Sequence, residues 1–190
     1  MNVYELMESA FTQPAELERL ALHENWRVRY AAAVAMGQSQ DRRWLPLLKE
    51  MLRIENARPL YSQPPARFTN TTDDTRMAEQ IGPITASFDH EVDESTLEAW
   101  RCRGRVKQAV LFALYDMGEA DDEIRAILHG YLEDPKEEYP IKAAAGRALQ
   151  RVGDPSSIPA LQTAQKFDEW CTQMEAIKAI GRISSQLGPC

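Results

Sequence analysis

The chain has 190 residues, a length that suits one domain or one repeat array. Acidic residues outnumber basic ones by 29 to 22, for a net charge of −7. A phosphate-binding surface needs a basic field, so no nucleic acid is expected as a partner. No run approaches the roughly 18 apolar residues of a membrane span, so no membrane association is expected either.

The opening, MNVYELMESAF, lacks the cationic start and apolar core of a signal peptide. Cys102, Cys171 and Cys190 are odd in number and lack CxxC spacing, which suits a reducing compartment. A cytoplasmic location is the expectation.

Taken in order, Asn2–Phe11 is predicted to form a short helix whose apolar face is Val3, Leu6, Met7 and Ala10. It would cap the array, because an end repeat otherwise exposes its stacking surface. Pro14 opens a second helix over about Ala15–His23, at a position where a missing N–H costs little. Asn25 is the predicted N-cap of a helix carrying Trp26 and Val28, and Gly37 with the polar QSQD is expected to close the repeat. From about Arg42 another helix turns Leu45, Leu48, Met51 and Leu52 inward.

Composition changes over about 55–96, which holds Pro59, Pro64, Pro65, Pro83 and the polar run TNTTDDT. A loop this long inside a compact protein is either functional or disordered. Asp74–Ile81 reads as a short helix stopped by Gly82-Pro83. Ser95 and Glu98 have capping-box spacing, so a helix is predicted from Thr96 into the segment beginning at Val106, with Gly104 its weak point. Apolar periodicity then marks Asp122–Glu133, the alanine-rich PIKAAAGRALQRVGDP of Pro140–Pro155, Ile158–Phe167 and a helix through Thr172–Ile183.

Four of these helices share a template. With Ile141 as position zero, Ala145, Ala148, Leu149 and Val152 fall at +4, +7, +8 and +11, one stripe of a 3.6-residue helix. Val106 starts the set Val110, Ala113, Leu114 and Met117. Val28 starts Ala32, Ala35 and Met36. Thr172 starts Ala176, Ala179, Ile180 and Ile183. The last three starts are 35 and 31 residues apart, a stacked-repeat period. The first interval, 78 residues, holds one repeat plus an insertion of roughly 45 residues. Each unit is therefore a helix, a tight turn and a small-residue helix.

WRVRYAAAVAMG, RVKQAVLFALYDMG, YPIKAAAGRALQRVGDP and the degenerate CTQMEAIKAIGRI together resemble the HEAT-repeat family, in particular the short HEAT-like repeats first described in phycobilisome lyases. The resemblance covers most of residues 14–184 apart from the insertion. It implies an all-α, right-handed α-α superhelix, a HEAT-like solenoid of about four helix pairs with an N-terminal capping helix, and one domain over 1–190 with the insertion inside the second repeat. Repeats of this kind serve many unrelated partners, so the resemblance says more of fold than of function.

No Walker loop, GxGxxG, HExxH, GxSxG or paired zinc knuckle occurs, and His23, His90 and His129 show no ligand spacing. No catalytic residue, cofactor or metal is therefore assigned. The acidic run Asp89–Glu94 has the composition of a divalent-metal site or an acid–base pair, but a solvated loop is the plainer reading. Cys102 lies between arginines and Cys171 beside Trp170, without a histidine in the pattern to make either a nucleophile.

Two columns recur. At +1 stand Arg29, Lys107 and Lys142, replaced by Gln173 in the last copy, with acids just before three of the helices: Glu24, Glu137 and Glu138, Asp168 and Glu169. They form either an ionic ladder between repeats or a cationic stripe for an acidic partner. At −2 stand Trp26, Gly104, Tyr139 and Trp170, rings that either pack over their own outer helix or anchor a partner. Positions +5 and +6 supply Val34, Leu111, Phe112 and Ile177, an inner groove or repeat-to-repeat packing. The candidate partner-binding residues are Trp26, Tyr30, Phe112, Tyr139 and Trp170. The function expected is a non-enzymatic module or scaffold holding a protein partner against the inner helices and the insertion. The resemblance also implies an alternative, a lyase-like enzyme or chaperone handling an open-chain tetrapyrrole on a target protein.

Overall fold

A computed structural model describes the backbone of residues 2–57 and 94–186, and the side chains of these except 94–103. The described residues form helices and turns, with no strand among them. Contacts divide the backbone into a larger unit, Met1–Ala57 with Cys102–Cys190, and a smaller one, Arg58–Arg101. The larger unit holds the repeats.

Helix α1, Val3–Thr12, begins with a reciprocal cap: the Asn2 side chain accepts from the Glu5 amide at 3.0 Å, and the Glu5 carboxylate accepts from the Asn2 amide at 2.8 Å. Pro14–Glu16 forms a 3₁₀ turn that leads into the short α2, Leu17–Ala21. Helix α3, Trp26–Ser39, starts on the Asn25 cap, whose side chain accepts from the Arg27 amide at 2.9 Å. A second 3₁₀ turn, Arg42–Trp44, opens α4, Leu45–Ala57. The next helix, α5, spans Glu94–Met117 and passes through Gly104 without a break. It starts two residues before the position that capping-box spacing indicated, so Ser95 lies inside it. The helix expected over Asp74–Ile81 lies outside the described residues, as does most of the insertion.

Asp121 caps α6, Asp122–Glu133, by accepting from the Ile124 amide at 2.8 Å. Tyr139–Val152 is α7, closed at Gly153, whose N–H donates to the Leu149 carbonyl. After the 3₁₀ turn Pro155–Ser157 come α8, Ile158–Ala164, and α9, Trp170–Gln186. Four pairs result: α2/α3, α4/α5, α6/α7 and α8/α9. Helix α1 packs on α3 through Leu6, Ser9 and Ala10, and covers the first layer as the periodicity predicts.

The small-residue helices stack on one another, α7 extensively on α9. Their alanines are buried: Ala31, Ala32 and Ala33 in α3, Ala109 and Ala113 in α5, Ala144, Ala145 and Ala148 in α7. Gly37 shows what this does. A Cβ there would stand 2.6 Å from the Ala113 Cα, so α3 and α5 touch backbone to backbone. Gly37 lies inside α3, and the repeat closes within the QSQD that follows it. α3 continues to Ser39, and Gln40, at φ 51°, takes the left-handed closing position. Gly181 likewise lies inside its helix. Gly118 does terminate α5, at φ +68°.

Candidate interaction surface

The +1 column is buried. Arg29, Lys107 and Lys142 are each 2% exposed or less, so they do not form a stripe open to an acidic partner. Arg29 Nε meets Glu55 Oε1 at 2.8 Å, and its Nη1 donates to the carbonyls of His23 and Glu24 at 2.8 and 2.7 Å. Lys107 Nζ meets Glu137 Oε2 at 2.9 Å and lies 4.9 Å from the Tyr131 ring centroid. Lys142 Nζ lies 3.6 Å from the Phe167 ring centroid. At Gln173 the neutral amide donates to the Phe167 carbonyl at 2.8 Å. In the first three layers the +1 side chain reaches the layer that follows, which is the ladder arrangement. The acid for Arg29 comes from the end of α4, and Glu24 contributes only its backbone carbonyl.

Outer-helix contacts repeat the pattern at the surface. Lys49 Nζ bridges Asp121 and Glu123 at 3.0 and 2.7 Å. The Asp121 carboxyl is held below its ordinary range, first by the Ile124 amide and then by Lys49. His129 Nε2 pairs with Ser157 Oγ at 2.8 Å, and burial pushes the imidazole below its ordinary value. Among the described residues no cluster of three or more His, Cys, Asp or Glu is placed to hold a metal. The acidic run 89–94, Cys102 and Cys190 lie outside the described side chains. Cys171 is exposed and free.

The five candidate residues fall in two places. Trp26, Tyr139 and Trp170 are the first residues of α3, α7 and α9. Trp26 is half-buried against the core beneath Arg27, whose guanidinium carbon is 4.6 Å from the ring centroid. Tyr139 is partly exposed, with its hydroxyl pushed above the usual phenol range by burial and then by nearby Cys171. Trp170 is 72% exposed. Of the +5 and +6 set, Leu111 is wholly buried packing and Val34 half-buried, whereas Phe112 and Ile177 reach solvent.

Tyr30 and Phe112 belong to a different sector. Offsets +2, +6, +9 and +10 fall within about 100° of one helix face. That sector holds Tyr30, Phe112 and Tyr115, then Arg147 and Arg151 of α7. The Arg147 guanidinium carbon lies 5.4 Å from the Phe112 centroid and 4.9 Å from the Tyr115 centroid, and that of Arg151 lies 5.6 Å from Tyr115. Arg151 also rests on the bare α-carbon of Gly118, where a Cβ would stand 2.9 Å from its Nη2. Two arginines are thus laid across two rings on neighbouring inner helices. Sequence reasoning found Phe112 and missed Tyr115, Arg147 and Arg151. Their signal was the shared offset: Phe112, Arg147 and Lys178 all occupy +6, and Arg151 and Arg182 both occupy +10.

The family model described as PBS lyase HEAT-like repeat matches residues 28–53 and 141–166. These are HEAT-like repeats. Both HEAT-like matches begin at position zero of the template, Val28 and Ile141, and run from an inner helix into the outer helix of the next layer. The described residues form an all-α stack of helix pairs, two segments of which match the HEAT-like repeat, and the ring-and-arginine platform sits on its inner helices. A comparison of the chain with curated proteins found no match. No helix among the described residues is long and apolar enough to cross a membrane.

Proposed function

We propose that this HEAT-like stack is a non-enzymatic interaction module that holds a protein partner against its inner helices. HEAT-like repeats are generally protein-interaction modules, which supports the class. The observation that carries the reading is the exposed platform of Phe112, Tyr115, Arg147 and Arg151. Rings pinned under guanidinium groups lose little freedom on binding, and aromatic and arginine side chains dominate binding energy at interfaces. No carboxylate among the described residues pairs with Arg147 or Arg151, so both keep donors for a partner's acidic or carbonyl groups. Tyr30 extends the surface along α3, and the rings at the helix starts give it an edge.

The test is affinity capture on the tagged chain, scored for a stoichiometric protein. Phe112→Ser and Arg147→Glu should each abolish capture while the far-ultraviolet spectrum and melting temperature stay within a degree or two of wild type. Undiminished capture by both variants removes the platform from the account.

A further inference from the structure

Among the described residues, no layer follows the last inner helix in the repeat columns. Positions +1, +5 and +9 of an inner helix face the layer that follows. Lys142 reaches Phe167 of the next pair, Gly146 lies against Glu175 and Ala176 of α9, and Gly37 lies against Ala113 of α5. At +5, Ala33, Leu111 and Gly146 are all buried by that following layer. The fourth member of the column, Ile177, is 51% exposed. At +9 Gly181 has nothing among the described residues within 4 Å of a built Cβ, where Gly37 has a helix backbone in contact. Trp170, Ile177 and Gly181 therefore form a strip shaped to receive one more helix.

The opposite end carries a helix that fits. α1 buries Leu6, Ser9 and Ala10 against α3 and turns Tyr4, Glu8 and Phe11 the other way, with Tyr4 80% and Phe11 49% exposed. Its charged residues are Glu5 and Glu8, with no base in the helix. The receiving strip is flanked by Arg182 and by Lys178, the latter already paired with Glu175. The acid of α9, Glu175, is already bound to Lys178 and Gln150. Position +1 of α9 is the neutral Gln173, satisfied by the Phe167 carbonyl. It therefore requires no carboxylate from the next layer, as Arg29 and Lys107 do, and α1 would bring none into that position.

We propose that the strip on α9 receives α1 of a second copy of this chain, so that the copies join head to tail and the stack continues across the junction. The contact is heterologous: each copy uses a different surface at each end, and further copies add until a ring closes or a filament grows. The apolar groups supply the contact, while the acids of α1 and the bases of α9 set its orientation.

Sedimentation velocity on the full chain, from about 1 to about 200 μM, tests this. The weight-average mass should rise with concentration and fall with added salt, because the flanking charges are screened. Phe11→Glu and Ile177→Glu should each be monomeric alone. Mixed, they should give a 1:1 dimer and nothing larger, since each retains the end the other has lost. Gly181→Leu, at a position with open space, is a second block of the α9 end should Ile177→Glu fold poorly. A monomeric wild type across the range overturns the proposal. So does wild-type association by Phe11→Glu, which would mean that α9 pairs with α9, and so does a mixture that stays monomeric.

Discussion

Two glycines occupy one repeat position and should respond to the same substitution with opposite signs. At Gly37 an added methyl would meet the Ala113 Cα at 2.6 Å and its Cβ at 2.8 Å. The obstacle includes backbone, which cannot swing aside, so α3 and α5 must separate. Overpacking of this kind costs ~1–3 kcal/mol. Replacing a mid-helix glycine by alanine returns ~0.5–1 kcal/mol of backbone entropy. The net for Gly37→Ala is a loss of about 1–2 kcal/mol, a melting temperature lower by roughly 3–8 °C for a unit of this size. At Gly181 nothing among the described residues lies within 4 Å, so only the entropy gain remains. Gly181→Ala should raise stability by ~0.5–1 kcal/mol. Urea denaturation in dilute solution, followed by helicity, measures both, and unchanged slopes confirm that the folded state is the same. A Gly37→Ala protein as stable as wild type would refute the backbone-to-backbone contact.

Four further outcomes follow from the same geometry. Ala145 is wholly buried, so Ala145→Glu should cost ~3 kcal/mol or more in a thermal melt, through overpacking and an unpaired carboxylate. Glu137→Ala removes the carboxylate paired with the buried Lys107 and should cost ~3 kcal/mol in urea titration, whereas the double replacement Lys107→Met with Glu137→Leu should recover most of it. Asp121→Ala removes the α6 cap and should cost ~1 kcal/mol at neutral pH, with Asp121→Asn retaining the cap and milder. Asp121 has a depressed folded pKa, so its contribution is present above the ordinary 3.8 and is lost as pH falls through the folded value. His129 runs the other way. Its folded pKa lies below the ordinary 6.5, so the unfolded chain takes up the proton first and stability falls as pH drops through 6.5. His129→Gln should flatten that part of the stability–pH curve.

What could be read in the sequence was whatever depends on near neighbours. The apolar stripe at +4, +7, +8 and +11 located all four inner helices because helical geometry repeats within a dozen residues. Asn25 was identifiable as a cap from the residues beside it. The packing role of Gly37 was not visible for the same reason. A glycine just past an apolar stripe resembles a helix end, and only the distant Ala113 shows Gly37 to be a packing contact. The Arg29 partner was sought just before its own helix, whereas Glu55 lies at the end of the next one. The platform was half visible: Phe112 was hydrophobic enough to notice, but Arg147 looked like an ordinary solvated charge until α7 was placed beside α5. Side chains that act across layers give no local signal, and interaction surfaces of stacked repeats are built from such side chains.

The +1 column shows why these layers stack in one register. A buried cation is costly unless it is paired, and removing its partner costs several kcal/mol. Each cation here is matched by a group of the following layer: Arg29 by Glu55, Lys107 by Glu137, Lys142 by the ring of Phe167. The partners differ in chain position and in chemistry, so sliding one layer past another would bring a cation against the wrong group or none. Apolar packing through alanines would tolerate such a slip far better, because one alanine surface resembles the next. The alanines allow close approach, and the cations select which approach is allowed. The sequence of partners also runs from carboxylate, to carboxylate, to ring, to the carbonyl that satisfies Gln173, so the demand for charge disappears at the last layer. A final layer that needs no carboxylate can be covered by a helix of different origin, and the outward rings of α1, Tyr4 and Phe11, suit such a contact.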